Sequence, residues 1–327
     1  MKKLLFVIVF ILLSTTGYSD EETLTIITRA IEKIEGEISR PLVVSIGNIT
    51  YSDKKIGSSF SKYLENQLNI VLNESLKFEV FSRDQIDEIM ETVRMNLEEF
   101  FDQDTVPEVG NLKGVEALFS GRFFDRGEDV EVFLDLLSIE SGTVIAQTNF
   151  SIHKKHIPEN VLILPDNYND ALYVLDELYE VENSKNDNFV IKVWTKKGNG
   201  GIYIDGEELV INFYSNKNCF IKIYHIDINK KKMSLIFPNQ YHKTNFIKKG
   251  EIYKIPDETY PFSFVLSRPY GTEFIKVIAS TIQFKEIEES FKDLGIGTRG
   301  HIERGLSVER KKETITEAMV SYTILAK

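Results

Sequence analysis

The chain has 327 residues, a formal net charge of −11 and an apolar share of 42%. That length holds about two domains of ordinary size, and that apolar share excludes wholesale disorder. The acidic balance excludes a general nucleic-acid binder, which needs clustered positive charge. It equally excludes attraction to an anionic membrane surface by charge.

The chain opens with Lys2 and Lys3, then an unbroken apolar run from Leu4 to Leu13. Gly17 and Ser19 follow where a signal peptidase would read small residues, and Asp20-Glu21-Glu22 comes next. This pattern predicts a cleaved secretory signal over residues 1–19. The run is about half of the ~20 residues needed to span a bilayer. Cleavage removes two lysines and no acid, which takes the net charge from −11 to −13. No cysteine stands at the cleavage point, so a soluble periplasmic form is expected over a lipid-anchored one, with outer-membrane association left open. No later stretch is long and apolar enough to span. Cys219 is the one cysteine, cannot form an internal disulfide, and lies in a strand-like run. A buried structural thiol is expected there.

In chain order, residues 21–38 predict a helix, with Leu24, Ile27, Ile31 and Ile34 at helical spacing. Pro41 to Ile46 predicts a buried strand, and Gly47 to Gly57 a polar loop. A helix follows on the stripe Phe60, Leu64, Leu68, Val71 and Leu72, then a strand over Phe78–Phe81. Ser82 and Gln85 form a capping box opening a second helix with the stripe Ile86, Ile89, Met90, Val93 and Leu97. Three strands then run over 117–124, 130–136 and 144–152, the last two joined as a hairpin through Glu140-Ser141-Gly142.

Residues 157–188 are expected to connect the two halves, with a helix over 170–179 and a polar linker at Asn183–Asn188. The remainder, 189–327, predicts a mostly-β domain. Its strands are expected over 190–194, 209–214, 220–226, 233–237, 252–255, 262–266, 274–279 and 319–325. Asp205-Gly206 signals a hairpin turn. Residues 284–312 form a charged excursion whose stretch Glu286 to Leu294 has helical character. The fold class is therefore α+β in two domains. Residues 20–156 form an α/β sandwich with a mixed sheet, and 189–327 a mostly-β, sandwich-like domain.

Residues 24–155 resemble a bacterial envelope family. The resemblance rests on the strand Leu42 to Ile46, on Val80-Phe81-Ser82-Arg83, and on Gly110, Gly114, Ala117 and Ser120-Gly121. The hairpin Val132 to Val144, with Gly142 in its turn, completes it. That family includes the flagellar outer-membrane protein FlgO, and is similar to the curli-secretion lipoprotein CsgG and to lipoprotein activators of penicillin-binding proteins. Residues 188–283 resemble domain of unknown function 4384. Phe237-Pro238-Asn239, Gly250-Glu251, Ile255-Pro256 and Pro269-Tyr270-Gly271-Thr272 carry that likeness. Together the resemblances imply a non-enzymatic accessory or adaptor protein of a flagellar, secretion or cell-wall assembly. A ring-forming secretion component and a cell-wall hydrolase are the alternatives. A pore would need additional lipid-facing hairpins, and the polar loops offer none.

The residues themselves support no catalytic, cofactor-binding or metal-binding assignment. Gly295-Ile296-Gly297-Thr298-Arg299-Gly300 matches a dinucleotide fingerprint, but a helical stretch precedes it where that motif needs a strand. His153 and His156 lack the further ligands of a zinc site. His225, His242 and His301 stand isolated. Tyr241, Tyr260 and Tyr270 sit in apparent loops of an aromatic-rich domain and mark a candidate surface for a partner or ligand. Phe237, Pro238, Asn239, Pro269, Gly271, Arg83, Gly114 and Gly121 are expected to be structural. The expected partner is an envelope protein or cell-wall component, with self-association open and nucleic acid excluded.

Overall fold

The computed structural model describes residues 21–81, 115–139, 141–179, 188–285, 287, 293–295 and 314–327. The chain divides into two compact units, Met1–Leu164 and Pro165–Lys327. The signal segment, Arg83, Gly110, Gly114 and the helix expected after Ser82 lie outside the described residues.

In the first unit, helix α1 covers residues 21–37. It buries Ile27, Ala30, Ile31 and Ile34, the stripe that a 3.6-residue period places on one face. Strand β1 (Leu42–Tyr51) leads to helix α2 (Ser59–Glu74). Ser58 and Ser61 cap α2 reciprocally, each side chain accepting from the other's backbone N–H. Strands β2 (Phe78–Phe81), β3 (Ala117–Asp125), β4 (Asp129–Ser138) and β5 (Val144–His153) follow. The sheet order is β2-β1-β3-β4-β5. β1 runs parallel to β2 and β3, and the other pairs are antiparallel. The sheet is thus mixed, with its helices contributed early and its hairpin late. Val130, Val132, Leu134 and Leu136 are all buried, as the period-2 alternation requires.

The strand β1 extends five residues beyond the expected end at Ile46, through a segment that the sequence marked as loop. The pairing register with β3 shifts between Ile46 and Ile49. Such a bulge absorbs an extra residue without ending the strand. Gly47 sits at the shift, where a Cβ would lie 3.1 Å from Leu118 and from the Phe119 carbonyl oxygen. At Gly121 the crowding is greater, with a Cβ 2.7 Å from the Phe133 carbonyl oxygen. Gly142 holds φ +66° in the β4–β5 turn.

The segment expected to connect the halves is divided between them. Ile157 joins the first core, and the Leu162 carbonyl accepts from Phe60 N at 3.0 Å. Helix α3 (Tyr168–Tyr179) belongs to the second unit. It buries Ala171, Val174 and Leu175. The linker residues 183–187 lie outside the described residues.

The second unit carries β6 (Ile191–Thr195), β7 (Gly201–Ile204), β8 (Glu208–Leu209), β9 (Ile211–Ser215), β10 (Cys219–Asp227) and β11 (Lys232–Phe237). It continues with β12 (Phe246–Ile247), β13 (Ile252–Ile255), β14 (Phe264–Val265), β15 (Gly271–Ser280), β16 (Asp293–Gly295) and β17 (Ile315–Leu325). One sheet has the order β16-β11-β10-β15-β17-β7, with β12 against β10. A second has the order β13-β9-β6, and β8 pairs with β14. The core lies between these layers and includes Ile211, Phe213, Ile221, Ile223, Ile275, Val277, Val320 and Tyr322. Cys219 is buried in it, and burial raises its thiol pKa.

Two expectations fail here. The Asp205-Gly206 turn forms, with Gly206 at φ +92°, but it does not close a hairpin. β7 is taken by β17 and β8 by β14, so long-range pairing overrides the local signal. Asp293–Gly295 is a strand on β11, not the end of a helix. The rest of the fingerprint-like run, residues 296–300, lies outside the described residues.

Candidate functional site

Along β10, Ile221 and Ile223 face the core, so the alternation puts His225 and Asp227 on the same face two and four residues on. On β15 the core residues Ile275 and Val277 are preceded on that face by Glu273. On β17 the face carries Val320, Tyr322 and Ile324. One end of the sandwich therefore exchanges an apolar lining for a polar one. A cleft of about 430 Å³ opens there, lined by His225, Asp227, Lys230, Ser234, Arg268, Glu273 and Tyr322. Leu209, Ile211, Ile236, Phe264 and Ile275 are among its apolar walls. Its size falls within the range of small-molecule sites.

Glu273 organises the floor. Its side chain is 6% exposed. Its Oε2 accepts from the Tyr322 hydroxyl at 2.6 Å and lies 2.8 Å from His225 Nε2. An ionised carboxylate has only acceptors, so His225 donates through Nε2–H. Tyr322 is completely buried, and burial first, then the Glu273 charge, pushes its hydroxyl pKa well above the usual 10. Its proton is held in place. Beside this chain, Lys230 Nζ pairs with Asp227 Oδ2 at 2.8 Å and Lys230 N donates to Asp227 Oδ1 at 2.9 Å. At the mouth, Arg268 Nε donates to the Tyr270 hydroxyl at 2.9 Å, and that hydroxyl donates to Asp205 at 3.3 Å. Ser234 is the cross-strand partner of His225.

The three tyrosines singled out by the sequence divide into two groups. Tyr241 is 50% exposed, whereas Tyr260 is 8% exposed. They meet at 6.3 Å between ring centroids, and Phe262 packs edge-on to both at 5.2 and 5.3 Å. Phe264 continues the row at 5.5 Å from Phe262 and reaches the cleft wall. Burial raises the Tyr260 hydroxyl pKa. Tyr270 instead goes with Arg268 and Asp205 at the cleft mouth.

The motif residues fix the surrounding loops. Asn239 donates to the Ile236 carbonyl at 2.9 Å, and its Oδ1 accepts from the backbone of Tyr241 and His242 at 2.9 and 3.0 Å. It thereby sets the loop that presents Tyr241. Phe237 is buried against His242 and Phe213. Pro238 and Pro269 each follow a cis peptide bond. Gly271 has φ +129°, and a Cβ there would lie 2.6 Å from the Asn167 side chain. Asn167 grips both backbone groups of Thr272, at 2.8 and 2.9 Å. His225, read as isolated, instead meets Glu273 at 2.8 Å, and Glu273, Tyr322 and Asn167 escaped the sequence reading. The only local signal was a charged or hydroxylated residue at the core-facing phase of each strand.

His153 and His156 stand 6.1 Å apart ring to ring. Among the described residues no group of three or more His, Cys, Asp or Glu could hold a metal ion. No described helix is long and apolar enough to cross a membrane, a statement that leaves strand-built crossings untouched.

Residues 202–283 match a family described as a domain of unknown function (DUF4384), in agreement with the resemblance carried by the Phe237, Gly250 and Pro269 clusters. A search of curated proteins found no match. Among solved structures, the LpoB C-terminal domain from Escherichia coli is similar at 11% identity and a TM-score of 0.33, over 39% of this chain and 96% of that one. The same domain from Salmonella enterica gives 11% and 0.30, over 40% and 94%. Lipoprotein GNA1162 from Neisseria meningitidis gives 13% and 0.26, over 45% and 100%. Likenesses this faint carry neither function nor fold. Nor, with a lipoprotein among them, do they favour a chain without a lipid anchor. The matched range contains every cleft-lining residue except Tyr322 and Ile324, so one strand from outside that range completes the candidate site.

Proposed function

We propose that this chain is a non-enzymatic accessory protein of the cell envelope. Its FlgO-like first unit docks on an envelope machine, and its second binds a partner or ligand in the cleft at the end of the sandwich. The observation that carries the reading is the His225–Glu273–Tyr322 chain. Its groups, buried at Glu273 and Tyr322 and part-buried at His225, hydrogen-bond one another from three separate strands, so the floor is preorganised for recognition. The row Tyr241, Phe262, Phe264 extends the contact surface outward. The exported location rests on the leader pattern of residues 1–19.

A second reading has one observation in its favour. Ser234, His225 and Glu273 line one cleft in the order of a nucleophile, base and orienting acid. Against it, the backbone around Ser234 pairs with β10 on one side and β16 on the other. Those N–H groups are committed and supply no oxyanion hole.

The test is photo-cross-linking in cells from Tyr241 and Val265, which are 50% and 56% exposed. One recurring envelope partner is the expected result. Ladders of the chain alone would replace the adaptor with a ring. Labelling of Ser234 by a fluorophosphonate would replace it with a hydrolase.

A further inference from the structure

The carboxylates of the cleft are not equally paired. Asp227 is closed by Lys230 through two contacts. Arg268 faces Tyr270 and the charge of Asp205. Glu273 remains. Among the described residues its carboxylate meets the neutral Tyr322 hydroxyl and His225, and no lysine or arginine. A carboxylate this buried attracts a cation far more strongly than one in water.

The shape of the cleft narrows the kind of cation. A metal ion would need further carboxylate or imidazole ligands, and Asp227 is engaged by Lys230. The apolar side chains of Leu209, Ile211, Phe264 and Ile275 line the same cleft as Glu273, beside polar Ser263 and Ser267. A ligand that suits them has an apolar stem and a compact charged head. An alkylammonium has both, with three N–H donors on a flexible chain.

Resting on the reading of the cleft as the binding site, we infer that it takes a primary alkylammonium group carried on an apolar chain, with Glu273 as the counter-charge. The lysine side chain is the simplest protein example. His225 is the built-in competitor. A permanent cation at that position would neutralise Glu273 from within.

The test uses the full chain and three probes: n-butylammonium, its neutral counterpart n-butanol, and Nα-acetyl-lysine methylamide. Binding is followed by calorimetry and by the imidazole resonances of His225. The two ammonium probes are expected to bind and to shift those resonances, and n-butanol to bind at least about tenfold more weakly. Glu273→Gln keeps the shape and the contact with Tyr322 and is expected to weaken n-butylammonium at least about tenfold. His225→Lys is expected to do the same. Equal binding of n-butanol, no binding of n-butylammonium, or full binding to Glu273→Gln would each overturn the inference. Because the butanol comparison uses the unaltered chain, a variant that fails to fold does not blunt it. Cross-links from Val265 to a partner, with no binding of n-butylammonium, would sink this inference and leave the adaptor reading standing.

Discussion

Asn167 and Gly271 form a pair whose energetics can be worked out in advance. The Asn167 amide is buried and bonds both the N–H and the C=O of Thr272. Asn167→Ala leaves two buried backbone groups unpaired, at about 1–3 kcal/mol each. A total of about 2–4 kcal/mol is expected once partial relaxation is allowed. Gly271→Ala drives a Cβ to within 2.6 Å of the same amide, which expels the side chain and loses the same two bonds. It adds the strain of φ +129° for a residue with a Cβ, about 1–3 kcal/mol. The single Gly271→Ala therefore costs about 3–7 kcal/mol. In the double variant the bonds are lost only once, so the cost stays near that of Gly271→Ala alone. The expected coupling is about 2–4 kcal/mol. Urea unfolding followed by Trp194 fluorescence measures it selectively, since this is the one tryptophan and lies in β6 of the second unit. Additive costs would refute the reasoning, because they would mean that the two residues do not share one space.

Three further outcomes are expected. Burial is the main cause that pushes the Tyr253 hydroxyl up to about 12 from 10. A raised folded-state pKa contributes stability below pH 10 that is lost as the pH climbs from 10 to about 12. Tyr253→Phe should flatten that stretch of an alkaline denaturation curve, and Tyr322 should show no tyrosinate absorbance until the unit unfolds. Lys276 and Glu317, at 5% and 7% side-chain exposure, pair at 2.8 Å. Lys276→Met alone should destabilise by about 3–5 kcal/mol, and adding Glu317→Leu should restore most of it in the same urea assay. Limited proteolysis should cut first at Asn183–Asn188, beyond α3, giving two resistant fragments by mass spectrometry, and early cuts within Leu209–Ile255 would disprove the expectation of a linker there.

What the sequence displayed and what it hid follow one physical line. Period-2 alternation in Val130–Leu136 and the 3.6-residue stripe of α2 are local, and both were legible. The continuation of β1 past Ile46 was hidden because a bulge at Gly47 looks like the start of a loop. The Asp205-Gly206 turn was legible as a turn but not as a partner choice, because β7 finds β17 more than a hundred residues away. The same non-locality hid the site. His225, Glu273 and Tyr322 are 48 and 49 residues apart, and each alone is a single polar residue in a strand. Tyr241 and Tyr260 stood out in the sequence, and the structure joins them through Phe262 but sends Tyr270 to the cleft mouth.

The position of β17 has a consequence in time. This strand, Ile315–Leu325, does not sit at a margin of its sheet but between β15 and β7. The neighbours that flank it are synthesised earlier and cannot join without it. The second unit therefore cannot close while its chain is still being made or threaded, and remains unfinished until residue 325 has emerged. The contact of Tyr322 with Glu273 likewise waits for β17, about fifty residues after Glu273 itself.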